Sequence, residues 1–203
     1  MSQVFLATRN PKKLDELRRI LDEVAPAVDV VGLNDVALYE EPAETEATFE
    51  GNALIKARTG LQATGLATLA DDSGLCVDAL NAMPGVLSAR WAGQAKDDDA
   101  NNALLLEQLS DTPDERRGAE FRCAVALCLP DGREELAFGV MRGVIARERR
   151  GTGGFGYDSL FVPEGETRTA AELTIAEKDA SSHRGQALRA IAMRVIAALS
   201  PAP

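Results

Sequence analysis

Short apolar runs alternate along the chain with stripes of apolar residues at helical spacing. The run at residues 3–7 predicts a strand. Leu14, Leu17 and Leu21 follow at i, i+3 and i+7, the spacing of an amphipathic helix. Asn10 suits the cap of that helix and Pro11 its first position, where an N–H is not needed. Residues 28–33 predict a second strand, and residues 34–47 an acidic, irregular loop. Thr48 is placed to cap a helix from Phe49, in which Asn52 and Lys56 share a face beside Phe49, Ala53 and Ala57. The apolar run at 65–70 predicts a buried strand that ends in a turn made by Asp71, Asp72, Ser73 and Gly74, with the sheet resuming over 76–80. Met83, Pro84, Gly85 and Val86 predict a further turn. Asp97, Asp98 and Asp99 suit the first turn of a helix running to Leu109, and nothing in the sequence gives that aspartate run a chemical role. Residues 121–129 and 134–141 read as a hairpin about Pro130, Asp131, Gly132 and Arg133, with 143–146 extending it. A short strand at 159–162, a helix-like piece carrying Lys178 and a last amphipathic helix over 187–199 complete the pattern, and residues 200–203 are expected to fray.

The 203 residues fit one domain, or two lobes sharing a core. No apolar run approaches the ~20 residues that span a bilayer, and residues 1–6 are too short for a signal peptide, so a cytoplasmic protein is expected. Cys76, Cys123 and Cys128 are too few and scattered for a disulfide framework. Cys123 and Cys128 stand at an odd separation in a strand, on opposite faces, and read as buried thiols. With a single histidine, a zinc site built on several histidines is excluded, and any metal should be oxygen-ligated, magnesium first. A net charge of −10 argues against binding of nucleic acid or an acidic membrane, but not against a small anion that feels local charge. Only five of the basic residues are lysines, and Lys12, Lys13, Lys56 and Lys178 fall within the stretches where chemistry is expected.

Four stretches carry that chemistry. Asp71 and Asp72 can hold a hard cation or a water, or form an ordinary surface turn. Thr8, Arg9, Asn10, Pro11, Lys12 and Lys13 form a strand-to-helix turn whose free amides and side chains can face an anion, or a plain capped loop. Residues 151–156 contain four glycines, so backbone there can approach a ligand closely. Phe155 and Tyr157 can stack on a flat ring, and Asp158 can accept from ring N–H groups. His183 and Arg184 open the last helix, where cations oppose the dipole, which points to a ligand.

Taken together, the ordered motifs resemble the inosine/xanthosine triphosphate pyrophosphatase family. The residues that carry the resemblance are Thr8, Asn10 and Lys13; Thr48, Phe49, Asn52, Ala53, Lys56 and Ala57; Ala70 through Leu75; Gly151 through Asp158; and Ser182, His183, Arg184 and Gly185. The resemblance covers residues 8–186, with Arg9 a departure where a small residue is common. It implies an α/β fold with a long mixed sheet flanked by helices, in two lobes with a nucleotide-binding cleft, as one pyrophosphatase domain over residues 1–203. It also implies hydrolysis of inosine, deoxyinosine and xanthosine triphosphates to the monophosphate and pyrophosphate, with Mg2+, usually by a homodimer.

Residue by residue, the resemblance assigns the triphosphate to the turn from Thr8 to Lys13, magnesium to Glu44 and Asp72, and catalysis to Asp72, Lys56 and Asp71, with Asn52 and Ser73 against substrate. The base falls to Phe155, Gly156, Tyr157, Asp158, Lys178, His183 and Arg184. A 6-oxopurine offers an acceptor at C6 and an N1–H donor. His183, Arg184 and Lys178 can donate to the first and Asp158 accept from the second, an arrangement that leaves adenine unpaired. The alternatives are a non-catalytic purine-nucleotide regulator and the sister pyrophosphatase family for pyrimidine or modified nucleotides. That sister family opens on a Ser-x-Ser-Pro-Arg-Arg type turn that residues 8–13 do not match. A P-loop NTPase is excluded by the lack of a Walker-type glycine-lysine turn.

Overall fold

The computed structural model describes residues 2–24, 26, 28–37 and 39–199, so the expectation for residues 200–203 lies outside the described residues. The fold is α/β. Strands β1 (Ser2–Leu6), β2 (Val28–Val31), β3 (Thr68–Val77), β5 (Gly118–Cys128), β6 (Glu134–Ile145) and β7 (Phe161–Pro163) hydrogen-bond in the order β2-β1-β3-β5-β6-β7. The two-residue β4 (Met83–Pro84) pairs with β3. β1 is parallel to both β2 and β3, whereas β4 and β7 are antiparallel to their neighbours, so the sheet is mixed. The helices are α1 (Pro11–Val24), α2 (Phe49–Thr64), α3 (Asp98–Gln108), α4 (Ile175–Ser181) and α5 (His183–Leu199). Among the described residues no helix is long and apolar enough to cross a membrane.

Helix starts follow local side-chain chemistry. The Asn10 side chain accepts from the Lys12 and Lys13 amides at 3.0 and 3.2 Å, and Thr48 accepts from the Gly51 amide at 3.1 Å. Each satisfies N–H groups that a helix start leaves unbonded. Gly65 ends α2 in the left-handed region, at φ 70°, and returns its N–H to Leu61. α5 starts at His183, four residues before the apolar stripe, because its first buried residues are polar and escape a hydrophobic periodicity.

The chain divides into two compact units. The first comprises Met1–Asp72, Cys123–Gly139 and Arg184–Pro203, and the second Ser73–Arg122 and Val140–His183. The first buries Val4, Leu6, Leu17, Ile20 and Leu21 with Leu69, Val125, Leu127, Leu188, Ile191 and Val195. There α2 approaches the sheet so closely that a methyl group on Gly60 would stand 2.8 Å from Thr68 and 3.0 Å from Phe5. The second unit has its own core of Leu75, Val77, Leu105, Leu109, Phe121, Met141, Tyr157, Leu160 and Phe161.

Three expectations change. Asp71, Asp72, Ser73 and Gly74 do not form a turn: β3 runs unbroken through them, and both aspartates are buried. Turn-forming residue types give way to tertiary context here, because the carboxylates find cationic partners inside the fold. β2 ends at Val31, before a 3-10 turn over residues 33–35. The hairpin extension is part of one strand, β6, rather than a separate piece.

Candidate active site

In an extended strand, successive side chains point to opposite faces, so adjacent Asp71 and Asp72 meet different helices. Asp71 faces α1 and α5. Its Oδ2 accepts from Lys13 Nζ at 2.8 Å and from Arg184 Nε at 3.3 Å. Arg184 Nη1 also bonds Glu16 Oε2, and both of those side chains are nearly inaccessible. Asp72 faces α2, where Asn52 and Lys56 stand one turn apart. Asn52 Nδ2 donates to Asp72 Oδ2 and Lys56 Nζ to Asp72 Oδ1, each at 3.1 Å. Lys56 Nζ also reaches Glu44 Oε1 at 3.0 Å, and Asn52 Oδ1 accepts from the Glu46 amide. Asp71 and Asp72 are therefore not a chelating pair for one cation. The strand that separates their faces gives each its own ion-paired partners, Lys13 and Arg184 for Asp71 and Lys56 for Asp72.

Electrostatics drives the two aspartates apart. Burial would raise the Asp71 carboxyl, but Lys13, then Arg184 and Lys56, outweigh it and hold it below the ordinary carboxylate range. Burial raises Asp72, and the opposing pull of Lys56 and Lys13 does not fully cancel it. Burial would lower Lys56, but Asp72, Asp71 and Glu44 hold its ammonium above its usual value. Two neighbouring carboxyls with opposed shifts are suited to different roles, Asp72 to proton transfer and Asp71 to fixing cations.

Among Glu40, Glu41, Glu44 and Glu46, Glu44 is the one that shares Lys56 with Asp72, whereas Glu41 pairs with Arg9 at 3.5 Å. Two carboxylates converging on one cationic group are an oxygen-only donor set. Magnesium commonly takes one or two carboxylates and fills its remaining positions with water and phosphate. Glu44 and Asp72 fit that pattern, although no group of three or more acidic, histidine or cysteine ligands occurs among the described residues. The cysteines are buried, and burial first of all pushes Cys123 to about 12 and Cys128 to about 11, so they are neutral thiols rather than metal ligands.

The turn before α1 is partly as expected. Thr8 accepts from the Asn10 amide at 3.3 Å, and Lys13 reaches into the cluster. The amides of Lys12 and Lys13 are not free for an anion, because Asn10 caps them. Pro11 and Lys12 are exposed, and Arg9 turns to the Tyr39 carbonyl at 2.9 Å. Glu16 is the residue that sequence reasoning misses. Its only signal is a carboxylate on the buried face of α1, between Lys13 and Ile20.

The second unit gathers the other candidates. Asp158 Oδ2 accepts from the Phe155 amide at 2.8 Å and from Lys178 Nζ at 2.6 Å. That ammonium lies 5.1 Å from the centre of the Phe155 ring, within cation–π range. A methyl group on Gly154, at φ 69°, would stand 2.0 Å from Asp158 Oδ2, so the close packing requires glycine there. His183 stacks on Phe121, ring centres 4.9 Å apart and planes 10° apart. Gly156 and Ser73 are half-buried. Tyr157 is a correction: its ring belongs to the second core and its hydroxyl donates to the Ser88 carbonyl at 2.9 Å, so it is not available to stack on a ligand. Arg184 belongs with the carboxylates of the first unit, which engage its Nε and Nη1.

The chain as a whole is similar to known proteins. A dITP/XTP pyrophosphatase of Nocardia farcinica is 63% identical over 93% of this chain and 92% of its own length. One of Streptomyces coelicolor is 53% identical over 94% and 96%. A crystal structure of a nucleoside-triphosphatase / dITP/XTP pyrophosphatase from Mycobacterium abscessus, 61% identical, covers 93% of this chain and 98% of its own with a TM-score of 0.77. A HAM1 protein from Coxiella burnetii, 40% identical, covers 98% and 100% with a TM-score of 0.87. The sequence model of the Ham1 family matches residues 4–194, nearly the whole chain, and on that match the chain belongs to the Ham1 family.

Proposed function

We propose that this protein hydrolyses the non-standard purine nucleoside triphosphates ITP, dITP and XTP to the nucleoside monophosphate and pyrophosphate, clearing them from the nucleotide pool. Relatives that bear the name dITP/XTP pyrophosphatase are 53–63% identical along nearly the full chain, which supports this activity. The observation that carries the reading is Asp72, a buried carboxylate fixed by Asn52 and Lys56, the latter shared with Glu44. In this reading Asp72 orients the attacking water and takes its proton as the water oxygen bonds to phosphorus and pyrophosphate leaves. Lys56 and Lys13 neutralise phosphate oxygens, and Thr8, Asn10 and Lys12 border the triphosphate at the start of α1. Asp71 assists by holding Lys13 and Arg184 in place. Glu44 and Asp72 would hold magnesium, which would supply further charge neutralisation on the phosphates. Positioning and charge neutralisation carry most of the rate.

The base is proposed to stack on Phe155, with Asp158 accepting from N1–H and Lys178 and His183 donating to the 6-oxo group. Adenine, which reverses that donor and acceptor order, leaves these groups unpaired. Residues 1–203 act as one domain of two lobes, since the chain passes between its two units four times. The protein works as a cytoplasmic homodimer, with a nucleotide rather than nucleic acid or membrane as its partner, in keeping with its net charge of −10. Light scattering at micromolar concentration tests the dimer.

The deciding assay follows products from ITP, XTP, ATP, GTP and TTP with magnesium. Pyrophosphate from ITP and XTP, lost in Asp72→Asn, is the expected outcome. Orthophosphate in its place would move the cleaved bond and sink the mechanism. Tight ITP binding without turnover would favour a regulator, and preference for TTP the sister family.

A further inference from the structure

The aspartate run at the start of α3 has no place in the chemistry above, yet it is bonded to the glycine loop. Asp97 alone caps the helix, accepting from the Asp99 and Ala100 amides at 2.8 and 3.2 Å. Asp98 turns instead to the loop, where its Oδ2 accepts from the Gly156 amide at 2.8 Å. One turn on, Asn102 donates through Nδ2 to the Gly156 carbonyl at 2.8 Å and to the Asp98 carbonyl at 2.6 Å. The two peptide groups that flank Gly156 are thus both held by α3. Gly156 itself takes φ 61°, a conformation that favours glycine. Asp99 binds the approach to the loop, through Arg149 Nη1 at 2.6 Å, and Arg149 Nε bonds Ser159 Oγ at 3.1 Å just past the loop.

Asn102 is fully buried, and among the described residues its Oδ1 has no hydrogen-bond partner. An apolar side chain would fill that position without the cost of an unmet acceptor. Turning the amide over does not relieve it, because the oxygen would then face two carbonyls. The side chain bears that cost while it holds Gly156. The held peptide carries Phe155 on one side and, two residues on, Asp158 with its Lys178 partner.

We infer that Asp98 and Asn102 are positioning residues for base selection: they fix the Gly156 peptides and so set the Phe155 ring and the Asp158–Lys178 pair against the purine. The inference rests on the proposed base-reading role of that loop. Asp98 is exposed, so replacing it opens no cavity, and Asp98→Asn keeps an acceptor oxygen while removing the charge.

The test compares kcat and KM for ITP and ATP in Asp98→Ala, Asp98→Asn, Asn102→Ala and Lys178→Ala. In Asp98→Ala the ITP-over-ATP ratio of kcat/KM should fall roughly five- to tenfold, about the worth of one partly exposed charged hydrogen bond, through KM with kcat for ITP kept. Asp98→Asn should restore most of the ratio, and Asn102→Ala should lower it further. An unchanged ratio in Asp98→Ala, while Lys178→Ala lowers it by removing a donor to the 6-oxo group, overturns this inference alone. An equal fall in Asp98→Asn and Asp98→Ala overturns it as well, by tying the effect to charge rather than to the bond. An unchanged ratio in Lys178→Ala removes the base-reading role and the inference together.

Discussion

The charged cluster of the first unit and the glycine loop of the second are both built around an aspartate and a lysine, but they are held in different ways. Asp71 and Asp72 rely on side chains brought from far along the sequence: Lys13, Glu16, Asn52, Lys56 and Arg184. Asp158 relies on close neighbours and on backbone, bonding the amide three residues before it and a lysine on the next helix. Buried charges must be compensated or they neutralise, so the first cluster tolerates no missing member. The loop is a backbone shape pinned at a few points, and a lost pin shifts a ring rather than stranding a charge. The two regions should therefore fail differently, the first in rate and stability and the second in selectivity.

The largest effect should come from Asp72→Asn, which keeps shape and removes the proton acceptor. We expect kcat to fall by about 10³-fold, within the usual range for a lost general base. Retention of a tenth of the activity would place the base elsewhere. Next is Glu16→Ala, which strips the buried Arg184 guanidinium of a carboxylate partner. Breaking a buried pair by removing one partner costs about 3–5 kcal/mol, so the midpoint should drop by roughly 10 °C. A midpoint within a degree of the parent would show that the pair is not needed for folding. Lys178→Ala should cost less, roughly tenfold in the ITP-over-ATP ratio of kcat/KM, because a donor to the 6-oxo group is lost.

Asp71 sets an acid limb. Its folded carboxyl lies below the unfolded value of about 3.9, because Lys13, Arg184 and Lys56 overcome burial. The ionised form is favoured by folding, so its stabilisation is present above about pH 4 and is lost as pH falls further. Urea midpoints from pH 7 to 3 should fall for the parent chain and flatten in Asp71→Asn; parallel curves would contradict the sign. Smallest is Arg58→Ala. Its bidentate pair with Glu134, at 2.7 Å on both arms, lies in solvent and should be worth under about 1 kcal/mol by denaturant titration.

What can be read in the sequence is local. Asn10, Thr48 and Asp97 announce helix starts because a cap and the amides it serves lie within three residues. The glycines of the loop mark close backbone approach for the same reason, and Asn52 and Lys56 share a face by helical spacing. The ordered motifs place the site residues in their segments. What cannot be read is which partner each charge meets. Glu16 and Arg184 stand 168 positions apart, and nothing local marks Glu16 as buried. Asp71 and Asp72 read as a turn because their composition is that of one. Only the strand pairing on both sides, with cations on each face, makes a strand the better state. Tyr157 looks like a stacking ring for the same reason that Phe155 does, and the second core alone separates the two.

The most direct test of this division is one set of steady-state constants for ITP and ATP in the parent, Asp72→Asn and Lys178→Ala. Asp72→Asn should lower kcat/KM for both nucleotides by the same factor, leaving their ratio unchanged, while Lys178→Ala should lower the ratio, mainly through KM. A ratio that moves as far in Asp72→Asn as in Lys178→Ala would contradict this division, because the carboxylate cluster would then be reading the base as well as driving the chemistry.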